Sequence, residues 1–327
     1  MDFYTNVVQW GNFLLVRGVD KNQRVNFRLK YKPTLFVPVM KQTDWKTLDG
    51  KSVTPYQFDC IKDAKDFLLK YESQPHLVHG LNRFAYTYIS DTFPQKVNWN
   101  IDKLLIMTID IEVQCENGFP NPESAIEPLL SITVKNQQSK KIIVWGIQPY
   151  KNTREDVTYI RCPNEHDLIM EFMSFWTKNY PDVITGWNTD FFDIPYLANR
   201  IKQVCGEDKM RELSPWKNVS SKQIYSMGRN HLMYDIMGVS QYDYLQLYQK
   251  FTYTRQESYK LDYIASVELG EKKDENPYET FREWYENDFQ SFIDYNIQDV
   301  EIVDKLEDKM GLIDLALTMA YEGKVNY

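Results

Sequence analysis

The apolar run from Leu104 to Val113 restricts the fold most, because its only charged side chains are Asp110 and Glu112. A run of this kind predicts a strand that is buried on both faces of a sheet. Side chains alternate along a strand, so both carboxylates would face the same side. Burying them is costly unless a cation compensates their charge, and their oxygen atoms suit Mg²⁺ or Mn²⁺. The alternative is a strand end at which both carboxylates reach solvent.

Two later motifs supply further acidic side chains. Asp193 lies where a predicted strand gives way to a helix, within the segment from Gly186 to Tyr196, and a helix N-cap is its alternative role. Tyr295 and Asp299 are four residues apart on a predicted helix and therefore share a face. Together, four carboxylates and one tyrosine can hold two divalent ions against a phosphodiester, with the tyrosine hydroxyl orienting water or phosphate.

The distribution of apolar residues predicts an α/β (α+β) fold in two parts. The first, residues 1–102, is a small strand-rich domain, and the second, residues 103–310, combines a mixed sheet with flanking helices in an RNase H-like arrangement. The elements predicted in the first part are strands at 7–17, 24–30 and 31–38, the first two joined through 18–22, and a helix at 59–71. The helices predicted in the second part lie at 165–180, 194–204, 259–269 and 289–310.

Composition narrows the class of protein. Hydrophobic residues make up 43% of the 327 residues, which is enough for a substantial core. The net charge of −8 argues against a general nucleic-acid coat protein but is compatible with a nuclease whose acidic site binds cations. The four cysteines have no zinc-site spacing and are expected to be free thiols. We find no signal peptide and no membrane-spanning run, so we expect a cytoplasmic protein.

The motifs resemble the exonuclease motifs of the family B DNA polymerases. Asp110-Ile111-Glu112 is similar to the first motif, the segment from Gly186 to Tyr196 to the second, and Tyr295-Asn296-Ile297-Gln298-Asp299 to the third. The resemblance runs the whole length and is greatest to the polymerases of T4-like phages, cyanophages included. It implies a 3′→5′ proofreading exonuclease, as part of a phage polymerase in the bacterial host cytosol.

The resemblance also implies a role for each residue of the metal site. Asp110, Glu112 and Asp299 would hold one of two divalent ions, with Mg²⁺ as the expected metal and Mn²⁺ as a substitute. Asp110 would bridge to the second ion, which Asp193 would support directly or through water. Tyr295 would position the attacking water.

The DNA-binding residues follow from the same resemblance. Phe119, in the segment that begins at Asn117, would stack on or wedge the terminal bases, and Asn188 would contact the DNA near its end. Lys260 would touch the scissile phosphate, with a solvated helix lysine as the alternative. Residues 216–235 would form a β-hairpin that aids strand separation, with its tip near Met227.

The chain departs from the family in one respect, since no segment matches the aspartate motifs of a polymerase palm. We therefore expect no polymerisation by this chain alone, and interpret it as part of a longer polymerase or as the N-terminal half of a split one. Residues 311–327 are expected to return to the N-terminal domain. The expected partners are a primer–template 3′ end, the remaining part of the polymerase, a sliding clamp bound through that part, and RNA at the N-terminal domain.

Two other classes of function remain as alternatives. The chain could be a module that binds nucleic acid or assembles with a polymerase half and has little activity alone. It could also be an unrelated RNase H-like nuclease, which would have to read the 2′-hydroxyl of RNA.

Overall fold

The structure is a computed structural model that describes residues 1–116, 118–226, 228–271 and 276–327. Asn117 and Met227 therefore lie outside the described residues. The chain divides into two compact units, one formed by residues 1–103 with 317–327 and the other by residues 104–316. Among the described residues, no helix combines the length and the apolar composition that crossing a bilayer requires.

The first unit opens with an antiparallel sheet in the order β1-β2-β3. The prediction of a single strand at 7–17 is wrong, because the chain reverses at Gly11, whose φ of +56° is in the left-handed region. The next reversal is also shorter than predicted, with Lys21 and Asn22 at φ 48° and 64° and residues 18–20 still in the strand. The strands are β1 (Phe3–Trp10), β2 (Phe13–Asp20) and β3 (Gln23–Lys30).

A second sheet in this unit has the order β4-β6-β5, so the strand predicted at 31–38 is an edge strand. Its elements and the helices that follow are β4 (Thr34–Pro38), β5 (Trp45–Lys46), β6 (Ser52–Gln57), α1 (Ile61–Lys70) and α2 (Phe84–Thr92). The end of the chain belongs to the same unit. The Tyr321 hydroxyl donates to the carbonyl oxygen of Tyr4 at 2.7 Å, and the Val7 amide donates to Asn326 Oδ1 at 2.9 Å.

The second unit is built on a mixed sheet in the order β10-β9-β8-β7-β11-β14. β7 lies between an antiparallel neighbour, β8, and a parallel one, β11. The predicted mixed sheet with flanking helices is confirmed. The strands of this unit are β7 (Ile106–Val113), β8 (Leu129–Asn136), β9 (Ile142–Gly146), β10 (Val157–Arg161), β11 (Val183–Gly186), the hairpin β12 (Val219–Ser226) with β13 (Arg229–Ile236), and β14 (Ser240–Asp243).

Helices cover this sheet through two hydrophobic clusters. One cluster joins alternate residues of β7 and β8 to α3 (residues 165–178) and α4 (residues 193–205). The other cluster joins β8 and β9 to α8 (residues 281–287) and α9 (residues 289–310). α9 also packs against β7, so helices cover both faces of this strand, as its apolar run predicts. The helices of this unit are α3 (Glu165–Lys178), α4 (Asp193–Cys205), α5 (Glu207–Arg211), α6 (Tyr244–Phe251), α7 (Leu261–Leu269), α8 (Phe281–Asn287) and α9 (Phe289–Met310). The last helix, α10 (Leu312–Gly323), begins in this unit, and its residues from 317 onward belong to the first unit.

Candidate metal centre and nucleic-acid cleft

Three carboxylates converge where α9 packs against β7. Asp110 and Glu112 project from β7, Asp299 projects from α9, and one oxygen from each lies within 4.8 Å of the other two. Asp299 is buried at 8% exposure. We call these three residues the acidic cluster. Its β7 members face the same side because they are two residues apart, and α9 brings in the third across the sheet face.

The acidic cluster has the donor set that a hard divalent cation prefers. Every donor is a carboxylate oxygen, and magnesium, manganese and calcium are bound by such ligands. Three negative groups this close repel one another strongly in a partly buried site, and a cation compensates that repulsion. The residues therefore fit a divalent metal.

Asp193 stands beside the acidic cluster with a different local role. The alternative of a helix N-cap is wrong, because Asp193 is the first residue of α4 and the N-cap position is occupied by Phe192, whose side chain makes no capping hydrogen bond. Asp193 Oδ1 instead accepts a hydrogen bond from the Ile111 amide at 3.1 Å, which ties α4 to β7. Burial at 3% exposure raises the pKa of Asp193, and the Ile111 hydrogen bond opposes that rise.

The turn that leads to Asp193 has a constrained backbone. A Cβ at Gly186 would lie 2.5 Å from the carbonyl oxygen of Ile109, the residue before Asp110 on β7. Glycine at this position therefore allows the end of β11 to lie close to β7. Asn188 follows with a φ of +65°, which is unusual for a residue with a side chain. Such conformations persist when surrounding contacts enforce them.

Asp243, at the end of β14, supplies those contacts. Its Oδ1 accepts from the amides of Asn188 at 3.0 Å and Leu245 at 2.9 Å, and its Oδ2 accepts from the Asp190 amide at 3.2 Å. One buried carboxylate thus caps α6 and holds the turn that carries Asn188 and Asp193.

Asp190 is a second buried carboxylate in this turn. Its Oδ2 accepts from Gln246 Nε2 at 2.9 Å. Burial, followed by the charge of Asp243, raises the pKa of Asp190 from 3.8 to about 7. The Asp190 carboxyl group therefore binds its proton more tightly in the folded protein than in the unfolded chain. Protonation of Asp190 stabilises the folded state fully below about pH 4, and this stabilisation is lost as the pH rises through about 7.

We expect the unfolding free energy of an Asp190→Asn variant to lack the pH dependence that Asp190 contributes. Between pH 5 and pH 8 the wild type should lose about 2 kcal/mol of unfolding free energy relative to the variant. Denaturant titrations at several pH values measure the difference. Asp66→Asn, an exposed change of the same type, serves as the control and should track the wild type. Parallel stability curves for the Asp190→Asn variant and the wild type would contradict the assignment.

Tyr295 lies on α9 one turn before Asp299. Its ring packs against Trp284, with ring centroids 4.9 Å apart at an interplanar angle of 67°. The side chain is half-buried, so the aromatic contact fixes the direction of the ring. The same helix therefore presents both the tyrosine and Asp299 of the acidic cluster.

A cleft of about 480 Å³ opens beside the turn that leads to Asp193. Phe119 and Phe192 form one part of its wall, with ring centroids 5.1 Å apart, and Asn188 lines it as well. The hairpin of β12 and β13 contributes Arg229 and His231. The lining thus combines aromatic faces, an amide and a guanidinium group, which suits the bases and phosphates of a single strand.

The loop that carries Phe119 is attached to α4. Asn199 Nδ2 donates to the carbonyl oxygen of Pro122 at 2.8 Å, and Arg200 donates to that of Ile126 at 2.8 Å. Arg200 also forms a two-fold ion pair with Glu165 at 2.6 and 2.7 Å. Phe119 itself is 84% exposed, so it is an accessible aromatic side chain on an anchored loop.

Lys260 is exposed at the N-cap position of α7 and does not line the cleft. Its neighbour Tyr259 accepts a hydrogen bond from Trp187 Nε1 at 3.0 Å, which links this segment to the residue before Asn188. The predicted hairpin at 216–235 is formed by Val219–Ser226 and Arg229–Ile236.

Sequence reasoning missed two buried polar residues that organise the site. Asp243 follows a strand and precedes an amphipathic helix, and that position is typical of an N-cap, so its sequence context could have identified it. Asn296 lies inside the third motif, and its side chain donates to Asp110. Its role depends on contacts with β8, which no local pattern predicts.

Comparison with known proteins identifies the family. The family described as DNA polymerase family B, exonuclease domain, matches residues 81–264. The chain belongs to the family B DNA polymerases, and the matched segment is their exonuclease domain.

Curated relatives agree with this assignment. Over 99% of its length the chain is 33% identical to the DNA-directed DNA polymerase of Escherichia phage RB69, of which it covers 39%. Over 100% of its length it is 32% identical to the DNA-directed DNA polymerase of Enterobacteria phage T4, again covering 39%. Over 56% of its length the chain is 29% identical to the DNA polymerase delta catalytic subunit of Candida albicans, of which it covers 18%. The chain thus spans about two fifths of the length of the phage polymerases.

Proposed function

We propose that the chain is the 3′→5′ proofreading exonuclease portion of a DNA-directed DNA polymerase. It would remove nucleotides from the 3′ end of single-stranded or mismatched primer DNA. The observation that carries this proposal is the acidic cluster of Asp110, Glu112 and Asp299, whose oxygens lie within 4.8 Å of one another. The family match and the aromatic cleft beside the turn that leads to Asp193 support it.

The proposed reaction is hydrolysis of the terminal phosphodiester. Water adds to phosphorus, the bond to the 3′ oxygen breaks, and a nucleoside 5′-monophosphate leaves behind a shortened strand with a 3′-hydroxyl. Asp110, Glu112 and Asp299 would hold one divalent ion, and Asp110 with Asp193 would support a second, with Mg²⁺ as the physiological metal and Mn²⁺ as a substitute. Such ions supply activation of water and stabilisation of the leaving oxygen. The Tyr295 hydroxyl would orient the attacking water.

The cleft beside the turn would receive the end of the single strand. Phe119 would stack on a terminal base, and Asn188 would contact the DNA through its amide. Lys260, which lies on a segment linked to the residue before Asn188, would approach a phosphate.

The Phe119 side chain has no metal-binding group, so a variant at this position tests DNA binding separately from the metal site. We expect Phe119→Ala to raise the KM for single-stranded DNA about 10-fold, because base stacking on an aromatic side chain contributes roughly 1–3 kcal/mol. The turnover rate at saturating DNA should change much less. Steady-state kinetics on a short oligonucleotide measure both values, with the exposed Tyr253→Ala as control. A Phe119→Ala variant with a wild-type KM would contradict the stacking role.

We also propose how the chain is organised within a polymerase. Residues 1–102 would be the N-terminal domain, residues 103–310 the exonuclease domain with its hairpin at 216–235, and residues 311–327 a return to the N-terminal domain. Polymerisation and sliding-clamp contacts would belong to the remaining part of the polymerase. The N-terminal domain would be available to bind RNA, and the enzyme would act in the cytosol of a phage-infected bacterium.

The activity is tested with a 5′-labelled DNA oligonucleotide. With Mg²⁺ or Mn²⁺ we expect a ladder of products shortened from the 3′ end, and with a chelator we expect none. An RNA oligonucleotide of the same sequence should be cut more slowly, and a mismatched 3′ end should be cut faster than a paired one. Salt-dependent binding without metal-dependent cleavage would instead favour a binding or assembly module. Cleavage of RNA alone would contradict the proposed DNA substrate.

A further inference from the structure

Asn296 occupies a buried position between the acidic cluster and the neighbouring strand. It lies on α9 at 0% exposure. On β8, Thr133 and Ser131 are the cross-strand partners of Asp110 and Glu112, so their side chains share a sheet face with these carboxylates. α9 packs on that face and places Asn296 over both hydroxyl groups.

The hydrogen bonds of Asn296 use both ends of its amide. Its Oδ1 accepts from Ser131 Oγ at 3.0 Å and also from Thr133 Oγ1. Its Nδ2 donates to Asp110 Oδ2. An ionised carboxylate only accepts hydrogen bonds, so the amide must turn its nitrogen toward Asp110. The two hydroxyls, which can donate, then meet the amide oxygen and fix this orientation.

We propose that Asn296 is a positioning residue that fixes the carboxylate of Asp110 for metal binding, and that Ser131 and Thr133 fix Asn296. The inference rests on the proposed function, since it concerns the same metal site. The amide is neutral, so it orients Asp110 without adding a charge to a cluster that already carries three carboxylates. Groups that hydrogen-bond metal ligands in this way contribute about 10- to 100-fold to metal affinity.

The sharpest test changes the two hydroxyls and leaves the carboxylates and Asn296 in place. In a Ser131→Ala/Thr133→Val variant of the full chain, the amide loses the donors that orient it. We expect Mn²⁺ affinity, measured by isothermal titration calorimetry, to fall about 10-fold. The KM for single-stranded DNA should stay at the wild-type value, and additional Mn²⁺ should restore the turnover rate. An Asn296→Leu variant should lose more affinity, up to about 100-fold.

The same sheet offers a matched control. Thr185 and Ser240 are buried on β11 and β14, and among the described residues their hydroxyls have no hydrogen-bond partner. A Thr185→Val/Ser240→Ala variant removes the same two groups without touching the contacts of Asn296. Its Mn²⁺ affinity should equal that of the wild type.

The outcomes separate this inference from the proposed function. If the wild type binds no Mn²⁺ and has no nuclease activity, both are overturned. If the wild type binds Mn²⁺ and the Ser131→Ala/Thr133→Val variant binds it equally well, the positioning role alone is overturned. A lower melting temperature with unchanged affinity also overturns it, because that result describes a purely structural contact. Weaker binding by a variant that remains folded supports it.

Discussion

An Asp110→Ala/Glu112→Ala variant is expected to lose metal-dependent exonuclease activity by at least about 10³-fold. The two substitutions remove both carboxylates that β7 contributes to the acidic cluster, so that Asp299 is its one remaining member. Charge stabilisation by a bound metal is worth several kcal/mol in the transition state, and about 1.4 kcal/mol corresponds to a factor of ten in rate. Removing the Asp110 carboxylate also leaves the buried Asn296 Nδ2 without its acceptor, which should lower the unfolding free energy by about 1 kcal/mol.

Single-turnover degradation of a 5′-labelled oligonucleotide measures this loss. Asp66→Ala/Glu72→Ala provides the control, because it removes two exposed carboxylates and so changes the net charge equally. The control should cut DNA at the wild-type rate. A wild-type rate in the Asp110→Ala/Glu112→Ala variant would mean that the nuclease activity resides elsewhere.

An Asp243→Ala variant is expected to destabilise the fold by about 3 kcal/mol. It leaves the amides of Asn188, Asp190 and Leu245 without their carboxylate acceptor, and each such loss costs about 1 kcal/mol. The turn that holds Asn188 in its left-handed conformation should loosen. We therefore expect weaker DNA binding together with the lower stability.

The unfolding free energy from denaturant titration gives the size of this effect. Asn164→Ala is a useful comparison, because Asn164 caps α3 through a single amide, that of Asp167. It should cost about 1 kcal/mol. Equal losses in the two variants would show that Asp243 acts only as a helix cap and does not hold the turn.

Strong local patterns made part of the architecture predictable. The apolar run around Asp110 predicts the enclosed strand, and period-two alternation predicts that Asp110 and Glu112 share a face. The helix predicted at 289–310 agrees with α9 at both ends, because its apolar period is sustained and Gly311 ends it in a left-handed conformation. Where alternation continued across a turn, as at Gly11, the pattern could not separate two strands.

The parts of the site that depend on distant contacts could not be predicted in this way. Asp193 has the sequence context of an N-cap, yet its carboxylate bonds the Ile111 amide, which is 82 positions away. Asn296 bonds hydroxyls on β8 more than 160 positions away. Such partners are set by the packing of α4 and α9 on the sheet, and only the three-dimensional arrangement identifies them.

Anomalous diffraction from crystals soaked in Mn²⁺ tests the central assignment most directly. We expect an anomalous peak between the carboxylates of Asp110, Glu112 and Asp299, with oxygen ligands at distances typical of a bound divalent ion. The same soak of the Asp110→Ala/Glu112→Ala variant should show no peak there. Manganese bound away from these three residues in the wild type, with the acidic cluster empty, would contradict the account.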